Sequence, residues 1–251
     1  GTKRAGEEHT SLIPLGDYDS SLGLLLKDRA ETFADKTYIK YRRGDENQTI
    51  SWRAFAHHVF TIANNLIAEG IKQGDRVAML SENRLEMFMF EMALMSIGGV
   101  TVPIFAGYPE NQVDYILNHA RPKYIVASCK KQYDKVTASS FKDITKSWVV
   151  DEVEQTDADA FSSLLENDEA PTEKLDERIN LVHGDDLCLI MYTSGTTGPP
   201  KGVRLTHRNI ISQQKAISLL WDVDEDDTFL SYLPWHHSFG GLFERFMTLF
   251  N

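Results

Sequence analysis

The sequence predicts an α/β fold built on a helix-covered, mostly parallel sheet. Three observations carry that prediction. Between Arg76 and Ser128, short apolar runs alternate with amphipathic segments of helical length, the pattern of parallel βαβ units. A second apolar run, LCLIMY at 187–192, reads as a buried strand. The chain has 251 residues, 42% hydrophobic and 25% charged, which excludes a disordered or collagen-like polymer and is enough to bury a large core.

Taken in order, residues 1–20 are a polar lead-in. Arg53–Glu69 is an amphipathic helix with Phe55, Val59, Ile62, Ala63 and Leu66 on one face, stopped by Gly70. Arg76–Leu80 is a strand, Arg84–Ile97 a helix, Val100–Phe105 a strand, Pro109–Ala120 a helix opened by its proline, and Lys123–Ser128 a strand. Leu85, Phe88, Met89, Met92 and Met95 recur at helical spacing; a ligand tunnel lined by methionine is one reading, and core is the reading favoured by that spacing. Met87–Phe105 is the longest apolar stretch, but Glu91, the pair Gly98 and Gly99, and Pro103 make it a buried helix and strand rather than a membrane span. Residues 151–178 are expected to form an acidic linker or excursion holding only a short helix near Phe161–Leu165. Beyond it, Val203–Leu205 is a short strand, Thr206 caps a helix running to Leu220, Thr228–Leu233 is a strand and Phe239–Phe250 a helix. Residues 21–150 thus form a first α/β subdomain, and 179–251 the start of a second.

Lys and Arg number 26 against 37 Asp and Glu, a formal net charge of −11. Eleven acids and two bases lie in 151–178, so the acidity belongs mostly to one segment and says little about partners of the folded body. No basic tail or basic–aromatic stripe suggests nucleic acid. Cys129 and Cys188 lack CxxC spacing, which fits a reducing compartment and argues against a zinc knuckle or disulfide framework. No basic start followed by an apolar run marks a signal peptide.

The chemistry concentrates in Tyr192–Val203, directly after the LCLIMY strand. Thr193, Ser194, Thr196 and Thr197 supply hydroxyls, Gly195, Gly198 and Gly202 supply glycines, and Lys201 supplies a cation. Glycines let backbone N–H groups approach an anion, hydroxyls add donors and can ligate a hard cation, and lysine suits phosphate. From Thr193 to Trp221 there is no acid, while Lys201, Arg204, Arg208 and Lys215 are basic. The run is not a Walker A loop, because Pro200 and Gly202 occupy the wrong positions; GxGxxG and GxSxG are also absent.

The run YTSGTTGPPKGVRLTHRN, 192–209, resembles the phosphate-binding signature of the AMP-forming adenylating superfamily of acyl-CoA synthetases, firefly luciferase and peptide-synthetase adenylation domains. Gly70–Met79 resembles that family's G-x-x-x-GDRVA strand entry. Leu233–Gly240 resembles its LP-x-x-H-x-x-G segment near the acyl pocket. Phe243-Glu-Arg-Phe246 looks like the long-chain fatty acyl-CoA synthetase branch, although Ser238–Leu242 makes the segment longer than that branch's His-x-Phe-Glu-Arg. The resemblance covers about 21–251.

The resemblance implies the fold of the adenylating-enzyme N-terminal domain, incomplete here. It implies a ligase that joins a fatty acid to coenzyme A through an acyl-adenylate, releasing AMP and pyrophosphate, with ATP, Mg²⁺ and coenzyme A as co-reactants. Thr193, Ser194, Gly195, Thr196, Thr197 and Gly198 would wrap the β- and γ-phosphates, and Thr197 would help hold Mg²⁺. Lys201 would contact the leaving phosphates, and His237 would lie near the acyl carboxylate and α-phosphate, in preference to His236. Trp235 reads equally as acyl-channel lining or core. Adenine, ribose and coenzyme A contacts are expected beyond residue 251, so the chain alone is expected to be inactive. The implied location is the cytoplasm, with no transmembrane segment; peripheral membrane contact is an alternative that only the apolar stretches, already explained by folding, would support. An adenylating enzyme for an aryl or amino acid, and a non-catalytic nucleotide-binding module, are the competing readings.

Overall fold

The computed structural model describes residues 21–151, 153–166, 172–193, 199–221 and 226–250. Its centre is a seven-stranded sheet among the described residues, formed by β3 (Arg76–Ser81), β4 (Val100–Phe105), β5 (Tyr124–Cys129), β6 (Lys146–Asp151), β7 (Asp159–Ala160), β8 (Leu187–Thr193) and β9 (Lys201–Thr206). The order is β7-β6-β5-β3-β4-β8-β9, parallel throughout except for the antiparallel pair β8 and β9. β1 (Thr37–Arg43) and β2 (Glu46–Ser51) form a separate antiparallel hairpin.

Alternation along β3 divides the core. Val77 and Met79 face one helical layer, whereas Ala78 and Leu80 face the other, as the period of two requires. The first layer holds α1 (Leu22–Thr32), α2 (Trp52–Ala68) and α3 (Leu85–Ser96); the second holds α4 (Glu110–Ala120) and α5 (Lys130–Thr137). The expected face of α2 is buried. In α3 every residue from Met87 to Ser96 is buried, so its methionines are core and its hydrophobicity has no exposed side. Among the described residues no helix is long and apolar enough to cross a membrane. Gly98 ends α3 at φ 78° and its carbonyl accepts from Gly74 N–H at 2.8 Å, a left-handed step that glycine takes without penalty.

The structure departs from the sequence expectations in several places. In the acidic stretch, the short helix expected near Phe161–Leu165 is present as a 3₁₀ turn, and the described parts are packed rather than exposed throughout: that turn and α6 (Glu173–Asn180) bury Phe161, Leu164, Leu175 and Ile179 against the α1–α2–α3 layer. Asn65 of α2 donates to both Leu164 O and Glu166 O at 2.9 Å. Among the described acids Asp151, Glu154, Asp157, Asp159, Glu166, Glu173 and Glu177 are exposed, while a few apolar anchors, sparse in the composition, hold the segment. Thr228–Leu233 is not a strand. Its backbone groups near Leu233 are bonded by side chains instead of by a ladder, as described below. The helix expected over 239–250 divides into a π-helical turn, Phe239–Glu244, and α8 (Arg245–Phe250). β8 and β9 join the sheet of the first subdomain, so residues on both sides of the acidic stretch build one sheet. α7 (His207–Leu220) follows β9, capped by Thr206 as expected.

Candidate functional site

Parallel strands bring their carboxyl ends to one edge, where open α/β sheets bind ligands. Ser81, Phe105 and Thr193 end β3, β4 and β8 at that edge. Because β9 runs back against β8 with Thr193 opposite Lys201, residues 194–200 form the connection of a hairpin whose mouth opens there. Thr193 and Lys201 are exposed. Ser194, Gly195, Thr196, Thr197 and Gly198 lie outside the described residues.

The stems of that hairpin are held from below. Tyr192, buried on β8, shares a hydrogen bond of 2.6 Å between its hydroxyl and Nδ1 of His119 on α4. Burial pushes the Tyr192 phenol up to about 12, with Tyr115 reinforcing the shift, so the hydroxyl keeps its proton. Tyr115, one turn before His119, donates to Pro200 O at 3.2 Å. Across the hairpin, Gly202 faces the Tyr192 ring; a Cβ there would sit 3.0 Å from Ile190 Cγ2 and 3.3 Å from Tyr192 Cζ.

A second segment crosses the same edge. Asn83, just past β3, donates through Nδ2 to Leu233 O at 2.8 Å and accepts at Oδ1 from Trp235 N–H at 2.9 Å. Buried Glu244 accepts from Leu233 N–H at 3.1 Å and from Ser231 Oγ at 3.0 Å. Trp235 Nε1–H donates to Ser231 Oγ at 3.0 Å. Residues 231–235 are therefore fixed from two sides, which is why they form no ladder.

The two histidines separate. His236 stacks on Phe105 with ring centroids 4.1 Å apart and meets the edge of Tyr108 at 5.9 Å. Burial, aided by the neighbouring His237, pushes it down to about 4, so it is neutral at pH 7. His237 is exposed; its N–H donates to Pro234 O at 3.1 Å and its carbonyl accepts from Gly241 N–H at 2.7 Å. Trp235 packs 5.7 Å from Phe88 and borders an open cleft of about 1330 Å³ that also touches Tyr38, Trp52 and Phe229. Beneath it, Arg245 is buried, forms an ion pair with Glu91 and donates from Nε and Nη2 to Gly241 O at 3.1 and 2.7 Å.

Between β3 and β5, where connections leave in opposite directions, Glu82 accepts from Ser128 Oγ at 2.7 Å and Gln132 Nε2 at 3.1 Å. Burial would raise its carboxyl, yet these donors hold it below the usual range. These bonds tie Ser128 and Gln132 to Glu82, while Gln132 Oε1 is buried without a partner among the described residues. Among the described residues no group of three or more His, Cys, Asp or Glu could hold a metal ion; of the hydroxyls expected to suit a hard cation, only that of Thr193 lies within the described residues. Sequence reasoning missed Tyr115, His119, Asn83 and Glu244. Tyr115, His119 and Asn83 stand in no motif and are signalled only by partners far along the chain; Glu244 lies in the Phe243–Phe246 run, which gave no sign that its carboxylate would hold Leu233 and Ser231.

The chain from residue 26 to 251 matches the family model described as AMP-binding enzyme. It is 31% identical to fatty acyl-CoA synthetase A of Dictyostelium discoideum over 206 residues, covering 79% of this chain and 31% of that protein. It is 29% identical to tyrocidine synthase 1 of Brevibacillus parabrevis, covering 90% of this chain and 18% of that protein. The inhibitor-bound N-terminal domain of FACL13 from Mycobacterium tuberculosis superposes with a TM-score of 0.78 at 25% identity, covering 92% of this chain and 56% of that one. The chain thus spans less than half the length of these two curated relatives.

Proposed function

The chain belongs to the AMP-binding enzyme family, and from that premise we propose that it is the N-terminal part of an ATP-dependent fatty acid–CoA ligase. The carboxylate oxygen of the fatty acid attacks the α-phosphorus of ATP, the bond to the bridging oxygen breaks, and pyrophosphate departs. The thiol of coenzyme A then attacks the acyl-adenylate carbonyl and AMP leaves. Phosphoryl transfer of this kind rests on positioning and charge neutralisation.

In this reading Thr193, Ser194, Gly195, Thr196, Thr197 and Gly198 receive the β- and γ-phosphates, and Lys201 neutralises the leaving pyrophosphate. Thr197 helps hold Mg²⁺, whose chemistry is charge neutralisation on the phosphates. His237, exposed where 233–237 crosses the edge, faces the acyl carboxylate, and neutral His236 forms the floor on Phe105. The aromatic cleft beside Trp235 suits an acyl chain. The observation that carries the proposal is the shared edge: the hairpin closed by Thr193 and Lys201 opens at the same carboxyl ends that the 233–237 segment crosses.

Similarity to tyrocidine synthase 1 favours a second reading, adenylation of an amino acid. Pyrophosphate exchange into ATP by the intact protein, tested with fatty, aromatic and amino acids, separates them. Exchange stimulated by fatty acids supports the ligase. Exchange with amino acids alone selects the second reading, and nucleotide binding without exchange for any acid leaves a non-catalytic module.

A further inference from the structure

The hairpin that carries the phosphate-binding run is gripped by one helix that no motif includes. His119 and Tyr115 are four residues apart on α4, hence on one face, with their rings stacked at 5.8 Å. His119 holds the Tyr192 hydroxyl at the entry stem. Tyr115 holds the Pro200 carbonyl at the exit stem. That carbonyl belongs to the same planar peptide group as the Lys201 N–H, so fixing it fixes how the chain enters β9 at Lys201. On the other strand, the Tyr192 ring lies over Gly202, so the His119 bond bears on both stems.

We propose that Tyr115 and His119 are positioning residues that hold the two stems of the 193–201 hairpin in register for a nucleotide triphosphate. The proposal rests on the ligase or adenylation reading for its ligand, but the clamp itself is a property of the ligand-free chain. Both residues act through Tyr192 and Pro200 and touch no reacting atom. Loss of either bond leaves Thr193 and Lys201 at the stems less fixed when the nucleotide binds. The cost therefore falls on nucleotide binding more than on turnover.

Four variants of the intact protein test this: Tyr115→Phe, His119→Phe, His119→Asn and Tyr192→Phe. Asparagine keeps an acceptor near the place of Nδ1, whereas phenylalanine keeps only the ring. Tyr115→Phe and His119→Phe are expected to raise KM for ATP about fivefold with kcat within about twofold, the factor that one neutral hydrogen bond supplies. His119→Asn restores most of it. The double variant His119→Phe with Tyr192→Phe is expected to be no worse than either single change, because both remove one bond.

Amide exchange of the unliganded protein gives the independent readout. Amides of Thr193, Lys201 and Gly202 are expected to exchange faster in Tyr115→Phe, with α4 and β3 unaltered. Unchanged stem exchange, or loosened stems with an unchanged KM for ATP, or additive losses in the double variant, overturns the proposal. If the wild-type protein shows no ATP use at all, the reading of its function fails, while stem exchange still decides whether the clamp exists.

Discussion

The guanidinium of Arg245 lies fully enclosed against the carboxylate of Glu91, 154 residues earlier in the chain. Thr101 Oγ1 donates to the same carboxylate at 3.0 Å. Burial pushes Arg245 down to about 9, so it remains charged at neutral pH. The pair joins the middle of α3 to the turn that carries Glu244, and so supports the segment crossing the sheet edge.

Removing one member of a buried pair leaves the other charge without a partner, at a cost of about 3–5 kcal/mol. Glu91→Ala is expected to lower the unfolding free energy by that order, measured by urea denaturation. A loss below about 0.5 kcal/mol would show that water or another group already compensates the arginine.

Lys201 is exposed at the mouth of the hairpin. A hydrogen bond from a charged group contributes about 1.5–3 kcal/mol, so Lys201→Ala in the intact protein should weaken ATP use about ten- to a hundredfold. The unfolding midpoint should hardly move. Activity within twofold of the unsubstituted protein would remove Lys201 from the phosphate site.

His207 and His236 set a pH dependence. Burial lowers His207 to about 4, against a smaller opposing pull from Asp186, and its Nδ1 accepts from Leu22 N–H at 3.2 Å. His236 is lowered to about 4 as well. The unfolded chain, with histidines near 6.5, binds these protons more readily. Stability is therefore full above about pH 6.5 and declines as pH falls toward 4. In His207→Asn, which keeps an acceptor for Leu22, the decline should be shallower. An identical slope in wild type and variant would place the protons elsewhere.

Asn83 secures both Leu233 and Trp235. Asn83→Ala should accelerate exchange of the Trp235 amide about tenfold and cost about 1–2 kcal/mol of stability, since two bonds are lost at an exposed site. Fatty acid KM should rise more than ATP KM. Equal changes in both would mean that Asn83 serves the whole edge rather than the segment with the histidines.

Much of the fold was legible without coordinates. Val100–Phe105 is a strand at the expected bounds, Thr206 caps the expected helix, and α3 is buried on all sides because its composition allows nothing else. The cluster of glycines, hydroxyls and lysine at 193–202 was legible as well, because residue types are written in the sequence itself. Hidden were α1, the β1–β2 hairpin, α5 and β6, whose apolar residues are few or interrupted by charge. The acidic stretch misled for the same reason: four buried side chains hold it, and the surrounding carboxylates mask them. Thr228–Leu233 misled in the opposite sense, since its β-prone residues find no strand edge and Leu233 bonds to Asn83 and Glu244.

By itself the sequence determined which segments are strands and helices between Arg76 and Ser128, and where glycine, hydroxyl and ammonium groups gather after β8. Periodicity along an element reports its burial, and burial is local information. Only the tertiary structure decided that β8 returns beside β4, that His236 rather than His237 lies against Phe105, and that α4 grips both stems of the hairpin. Those are pairings between residues far apart in the chain, and they depend on which surfaces fit once the elements exist.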